Sequence, residues 1–202
     1  MAIKPILFNG EMVRAILDGR KICTRRLVKH NVDAVLNSPY HMEHPEVEDA
    51  WLIKKLCRPP YEPGDILYVR ETWGEGYAEG TYIYKADDKL AELPTFKKTS
   101  KILYHPSIHM PKEAARIWLK VTDVRVERLQ DITAEQILKE GIGLTQDMIE
   151  SVKEMKEHCD IPFAATWNHT LKKSDLDRYG WAANPWVWVI EFERCEKPKE
   201  AE

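Results

Sequence analysis

The stretch Gly19 to Arg26, GRKICTRR, places four cations (Arg20, Lys21, Arg25 and Arg26) around a single hydroxyl, Thr24. From Arg14 to His30 the chain carries six Lys or Arg and one acid, Asp18. Positive charge gathered this way can hold a phosphate or carbonyl oxygen, stabilise an oxyanion, or lower the pKa of a lysine in its midst. Clusters of charge are more often a solvated surface. The chain as a whole is acidic, with 30 Lys plus Arg against 33 Asp plus Glu and a net charge of -3. No global field therefore draws it to nucleic acid or membrane, and any anion site must be local.

A second constellation is Tyr68, Arg70, Glu71 and Trp73. Its aromatic rings can stack on a nucleobase, and its carboxylate can accept from an exocyclic amine. The plainer reading is core packing for Trp73 and a surface Arg70–Glu71 ion pair. His41, His44 and Cys57 suggest a metal site, but a fourth ligand at suitable spacing is missing, so an exposed loop is the better reading and no metal or cofactor is expected. The four cysteines form no C-x-x-C pair and read as free thiols. No P-loop or dinucleotide fingerprint is present.

The elements that must position these residues follow from periodicity. GEMVRAILDG reads as a helix with Gly19 in the left-handed position beyond its end, delivering the chain directly into RKICTRR. Segment 27–60 is irregular and proline-rich, with a short helix at VEDAWLIKKL. A strand follows Pro63-Gly64-Asp65, with Leu67 and Val69 on one face and Tyr68 and Arg70 on the other. GTYIYKAD is a second strand candidate, and residues 93–101 read as a loop. In ARIWLKVTDVRVERL the buried phase changes between Val121 and Val124, as where a sheet bends. DITAEQILKEGI is a helix capped by Thr133 and ended by Gly141, with Glu140 in its last turn. Residues 145–159 form an amphipathic helix, PFAATWNHTL continues as another, and NPWVWVIEFER closes as a strand with Trp186, Trp188, Ile190 and Phe192 on one face. The apolar run at the N-terminus is too short for a signal peptide, and nothing approaches the roughly 20 apolar residues of a membrane span. A soluble, cytoplasmic protein is expected.

GRKICTRR after a first helix, PGDILYV, VTDVRVERLQDITAEQILKEGI and WVIEFER, in that order, resemble the ASCH domain superfamily, and RETW with NPWVWVIEFER resembles its longer phage and prophage members. The resemblance implies an α+β fold, a small PUA-like β-barrel with flanking helices and long insertions. It implies a single domain over 1–202, with core segments 1–26, 63–73, 115–142 and 184–195 and insertions at 27–62, 74–114 and 143–183. It also implies RNA or a nucleoside as partner, bound in a barrel cleft. Some members are similar to amidohydrolases that deacylate N4-acetylcytidine, whose Lys, Thr and Glu match Lys21, Thr24 and Glu140. Thr24 is then the nucleophile and Lys21 its base, while Glu140 positions or activates water. Arg20, Arg25, Arg26, Tyr68, Arg70, Glu71 and Trp73 are the expected substrate-binding residues. A non-catalytic RNA-binding module and a metal-independent ribonuclease remain as alternatives. In a regular strand Lys21 and Thr24 face opposite ways, so the hydrolase scheme needs an irregular segment there.

Overall fold

The computed structural model describes residues 1–76, 78–87, 103–142 and 156–199. Its elements in chain order are β1 (Ile3–Leu7), α1 (Gly10–Leu17), β2 (Cys23–Leu27), α2 (Val32–Leu36), α3 (Pro39–Glu43), α4 (Asp49–Cys57), β3 (Ile66–Arg70), β4 (Trp73–Glu75), β5 (Tyr82–Tyr84), β6 (Trp118–Arg128), α5 (Ala134–Lys139), α6 (Lys156–His169), α7 (Leu176–Tyr179) and β7 (Trp186–Cys195). The class is α+β, as expected. Five strands form one sheet in the order β1-β3-β6-β7-β2, and β4 and β5 form a two-stranded sheet. The helix expected at 145–159 falls largely, and the loop at 93–101 wholly, outside the described residues.

The chain divides into two compact units. The first comprises Met1–Gly19, Gly64–Lys120 and Glu193–Glu202, the second Arg20–Pro63 and Val121–Phe192.

In the first unit β1 runs parallel to β3, which pairs antiparallel with the start of β6. Leu67 and Val69 are buried while Tyr68 and Arg70 are half-buried, the alternation read from PGDILYV. Trp73 belongs to β4, a separate strand, rather than to the Leu67 face. Its core gathers Ile66, Trp73, Met110, Ala114, Ala115 and Trp118, with Tyr68, Tyr82 and Tyr84 packed around them. Helix α1 starts at Asn9, whose side chain accepts from the Met12 N–H, and ends before Gly19 at φ 74°. That left-handed glycine is the turn the sequence calls for.

In the second unit β2 pairs antiparallel with β7, Cys23 opposite Glu191, Thr24 opposite Ile190 and Arg26 opposite Trp188. The irregular segment 27–60 is largely helical. Asn31 and Ser38 cap α2 and α3 through their side chains, and Pro39 sits in the first turn of α3, where its missing N–H costs nothing. Helix α5 carries the full capping box: Thr133 accepts from the Gln136 N–H, and the Gln136 side chain accepts from the Thr133 N–H. Cys23, Leu129, Ile132, Ile137, Phe163, Trp167, Val187 and Val189 form this unit's core. Strand β7 is buried on both faces from Val187 to Ile190, so its Trp/Ile face is only half of what it buries. Along β6 both Thr122 and Asp123 lie outside the core between buried Val121 and Val124, the phase change anticipated from the sequence.

Candidate functional site

Two cations of the opening stretch and its hydroxyl lie inside the second unit rather than on a solvated surface. Lys21 is 2% exposed, Arg25 3% and Thr24 1%. Lys21 stands in an isolated bridge with Glu140. The next residue is held at both of its backbone groups: the Ile22 N–H donates to the Lys139 carbonyl, and the Ile22 carbonyl accepts from the Phe192 N–H. This places the Lys21 amine on the end of α5. Its Nζ donates to Glu140 Oε2 at 2.7 Å and to the Glu140 carbonyl at 2.9 Å. Cations favour a helix C-terminus, and here one closes the last turn directly.

The other carboxylate oxygen of Glu140 accepts from Arg25 NH1 at 3.1 Å. Arg25 NH2 reaches Gln136 Oε1 at 2.8 Å and Glu127 Oε2 at 3.3 Å, and its guanidinium lies 5.9 Å from the centre of the Phe163 ring. Gln136 therefore serves two roles, capping α5 and orienting Arg25. Neither Gln136 nor Glu127 stood out in the sequence as a site residue; the capping pattern T-x-x-Q was the available signal for the first. Glu127 also accepts from Arg125, which donates to Asp123 and Glu191 as well.

Thr24 and Arg26 occupy the alternate face of β2 from Cys23 and Arg25. Arg26 NH1 donates to Thr24 Oγ1 at 2.6 Å and to the Arg25 carbonyl at 2.9 Å. Burial pulls Arg26 below its ordinary pKa, while the negative charge of Glu140 and the Tyr61 phenol oppose that fall. Glu140 thus acts electrostatically on Arg26 as well as bonding Lys21 and Arg25. Arg20 is exposed and donates to the Gly141 carbonyl at 3.1 Å, beside the left-handed turn that ends α5.

Burial first, and then Glu140, pushes the Cys23 thiol up to about 12, against the opposing pull of Arg25 and Lys21. A folded-state value above the ordinary 9.0 means that this thiol's contribution to stability is complete below pH 9.0 and is lost as pH rises toward 12. We expect Cys23 to resist alkylation at neutral pH until the protein unfolds, with half-buried Cys195 labelling ahead of it, as read by peptide mass spectrometry after timed iodoacetamide exposure. Cys23→Ala should also flatten the alkaline loss of stability.

The Tyr68, Arg70, Glu71 and Trp73 constellation lies in the first unit. Glu71 is 1% exposed, and its partner is Arg116 rather than Arg70. Arg116 grips it in a fork, Nε to Oε1 at 2.9 Å and NH2 to Oε2 at 3.0 Å, lies 3.9 Å over the Tyr84 ring, and also pairs with Asp87. Burial raises the Glu71 carboxyl, and Arg116 opposes that rise. Arg70 instead donates to the Ile108 carbonyl. Trp73 packs against Tyr82 and His105 in the core, and Tyr68 lies against Trp118 at 6.0 Å. Arg116→Ala strands the buried Glu71 carboxylate. We expect it to cost about 2 kcal/mol in urea unfolding, the scale of hydrogen bonds to a charged group, with Arg116→Lys recovering part.

His41 bonds Asp49 at 3.0 Å and His44 bonds Glu46 at 3.2 Å, while Cys57 is buried. Among the described residues no three His, Cys, Asp or Glu gather as metal ligands, and no helix is long and apolar enough to cross a membrane.

No family model matches the sequence, and no curated protein matches it. Among solved structures the chain is similar to the high-resolution crystal structure of an ASCH domain from Lactobacillus crispatus JV V101, with 8% sequence identity and a TM-score of 0.40 over 96% of this chain and 79% of that one.

Proposed function

We propose that the chain is an ASCH-type protein that binds a modified nucleoside or RNA base beside Thr24 and hydrolyses the N4-acyl amide of cytosine. The observation that carries this reading is the burial of an amine, a hydroxyl and a carboxylate, Lys21, Thr24 and Glu140, within one unit and along one short segment, Lys21 paired directly with Glu140 and Thr24 held by Arg26 on the other face of β2. Buried charge is costly, and its concentration at one place is a mark of functional sites.

In the proposed reaction the Lys21 ammonium first passes a proton to Glu140, its direct partner, because only the free amine can act as a base. That amine then takes the Thr24 hydroxyl proton as Oγ1 attacks the acyl carbonyl carbon. The tetrahedral adduct collapses with cleavage of the C–N4 bond, and the cytosine amine leaves with the proton from Lys21. Water, losing its proton to the Lys21–Glu140 pair, attacks the Thr24 ester; the acyl C–Oγ1 bond breaks, the pair returns the proton to Thr24 Oγ1, and the carboxylic acid is released as Glu140 hands its own proton back to Lys21. Arg26, already donating to Thr24 Oγ1, stabilises the developing alkoxide.

Incubation with N4-acetylcytidine, followed by chromatography for cytidine and acetate, tests the reading. Equimolar release of both supports it, and unchanged substrate at high enzyme concentration removes it. A second reading, an RNA-binding module without chemistry, is favoured by one observation: Glu140 is already closed between two cations. RNA retention that falls with added salt, without either product, would select that module.

A further inference from the structure

The face of β2 and β7 that carries Thr24 and Arg26 continues to Trp186. Arg26 stands opposite Trp188, and the Val28 N–H donates to the Trp186 carbonyl, so Thr24, Arg26, Trp188 and Trp186 share one face. Trp186 is then a diagonal neighbour of Arg26, about 7–8 Å away between backbones. Along this line Thr24, Trp188 and Val28 are covered, whereas Arg26 and Trp186 are half-buried.

Arg128, at the end of β6, is brought there by the Leu129 N–H donating to the Pro185 carbonyl. Its guanidinium lies 4.4 Å over the Trp186 ring, and its NH1 donates to the Asn184 carbonyl at 3.1 Å. Asn184 holds a left-handed φ of 46°, and its side chain accepts from the Gln130 N–H, fixing the carbonyl to which Arg128 is tied. Arg125, three residues earlier, is neutralised by three acids, whereas Arg128 pairs with no acid among the described residues. The Trp186 indole Nε1 is buried and has no hydrogen-bond partner. A planar cation is thus preset against an aromatic ring, with its charge unneutralised by any described acid and an unused donor beside it.

We propose that Arg128 and Trp186 form a stacking step for the base next to the one held at Thr24, so that the site prefers a nucleotide within a single-stranded polynucleotide over the free nucleoside. The inference rests on Thr24 marking the base site. A base stacks on the outer plane of the guanidinium, extending the Arg128–Trp186 stack, while the guanidinium edge meets the adjoining phosphate. Neither contact requires a particular base, so the flanking position tolerates sequence variation.

The test compares the binding of a short 5′-labelled single-stranded oligocytidylate with that of cytidine, for the full chain and for Arg128→Ala and Arg128→Lys. The stacking contribution predicts that Arg128→Ala lowers the preference for the oligonucleotide about five- to 150-fold. Arg128→Lys, which keeps the charge and loses the plane, should fall most of the way with it. A preference unchanged in Arg128→Ala, or fully restored by lysine, overturns the proposal. Independently of any variant, photocrosslinking of a 4-thiouridine-containing oligonucleotide should label the peptide containing Trp186, and labelling confined to other peptides overturns it. Both readouts are binding, so they stand even if no deacylation is found, and loss of the hydrolase reading alone would leave them interpretable.

Discussion

Glu140→Ala should destabilise the protein by roughly 3–5 kcal/mol, the scale for removing one partner from a buried ion pair. The carboxylate is 7% exposed and takes a bond on each oxygen, from Lys21 at 2.7 Å and from Arg25 at 3.1 Å. Deleting it takes the shared carboxylate from two cations, 2% and 3% exposed, of which Lys21 keeps its bond to the residue 140 carbonyl and Arg25 keeps Gln136 and the longer Glu127 contact. The loss is read as a fall in the urea midpoint at unchanged slope. Glu140→Gln keeps the shape and one acceptor oxygen but no charge, and should fall between the two. Lys21→Met combined with Glu140→Gln should cost clearly less than the sum of the single changes, because each single change strands a charge that the double change removes. Additive losses would show that the two groups do not stabilise one another.

The cluster explains which parts of this molecule could be read from its sequence. The ends of α1 and α5 are written locally: Asn9 and Gly19 bound one, Thr133, Gln136 and Gly141 the other, and each signal acts over three or four residues. The β6 phase change is equally local, since side-chain alternation reports which residues a strand buries. Whether a run of cations is surface or interior is not a local property. The acids that draw Lys21 and Arg25 inward are 119 and 102 residues away in the chain, at Glu140 and Glu127. A resemblance of sequence pointed to Glu140, whereas nothing marked Glu127. Glu71 repeats the case, its neighbour Arg70 being the obvious partner and Arg116, 45 residues on, the real one. Helices in 27–60 were obscured for a different reason. Prolines break a helix interior but begin a helix well, and Pro39 does the latter.

Thr24→Ala should lower the release of cytidine from N4-acetylcytidine by roughly ten-thousand-fold or more, the range seen when a covalent nucleophile is removed. Its folding cost should be small, about 1 kcal/mol, because Arg26 NH1 keeps its second bond to the Arg25 carbonyl when the hydroxyl is lost. Loss of activity in a protein that still unfolds at nearly the parent urea midpoint then belongs to the chemistry. Thr24→Ser, which preserves the oxygen, should retain measurable turnover, whereas Thr24→Val, which preserves the branched shape, should not. The pair separates packing from reactivity, since only the oxygen distinguishes valine from threonine at this 1% exposed position. Turnover by Thr24→Ala at the parent rate would instead move the nucleophile to water. Glu140 would then be the group left to activate it, and Glu140→Gln would abolish hydrolysis while Thr24 became only the acceptor that holds Arg26 in place.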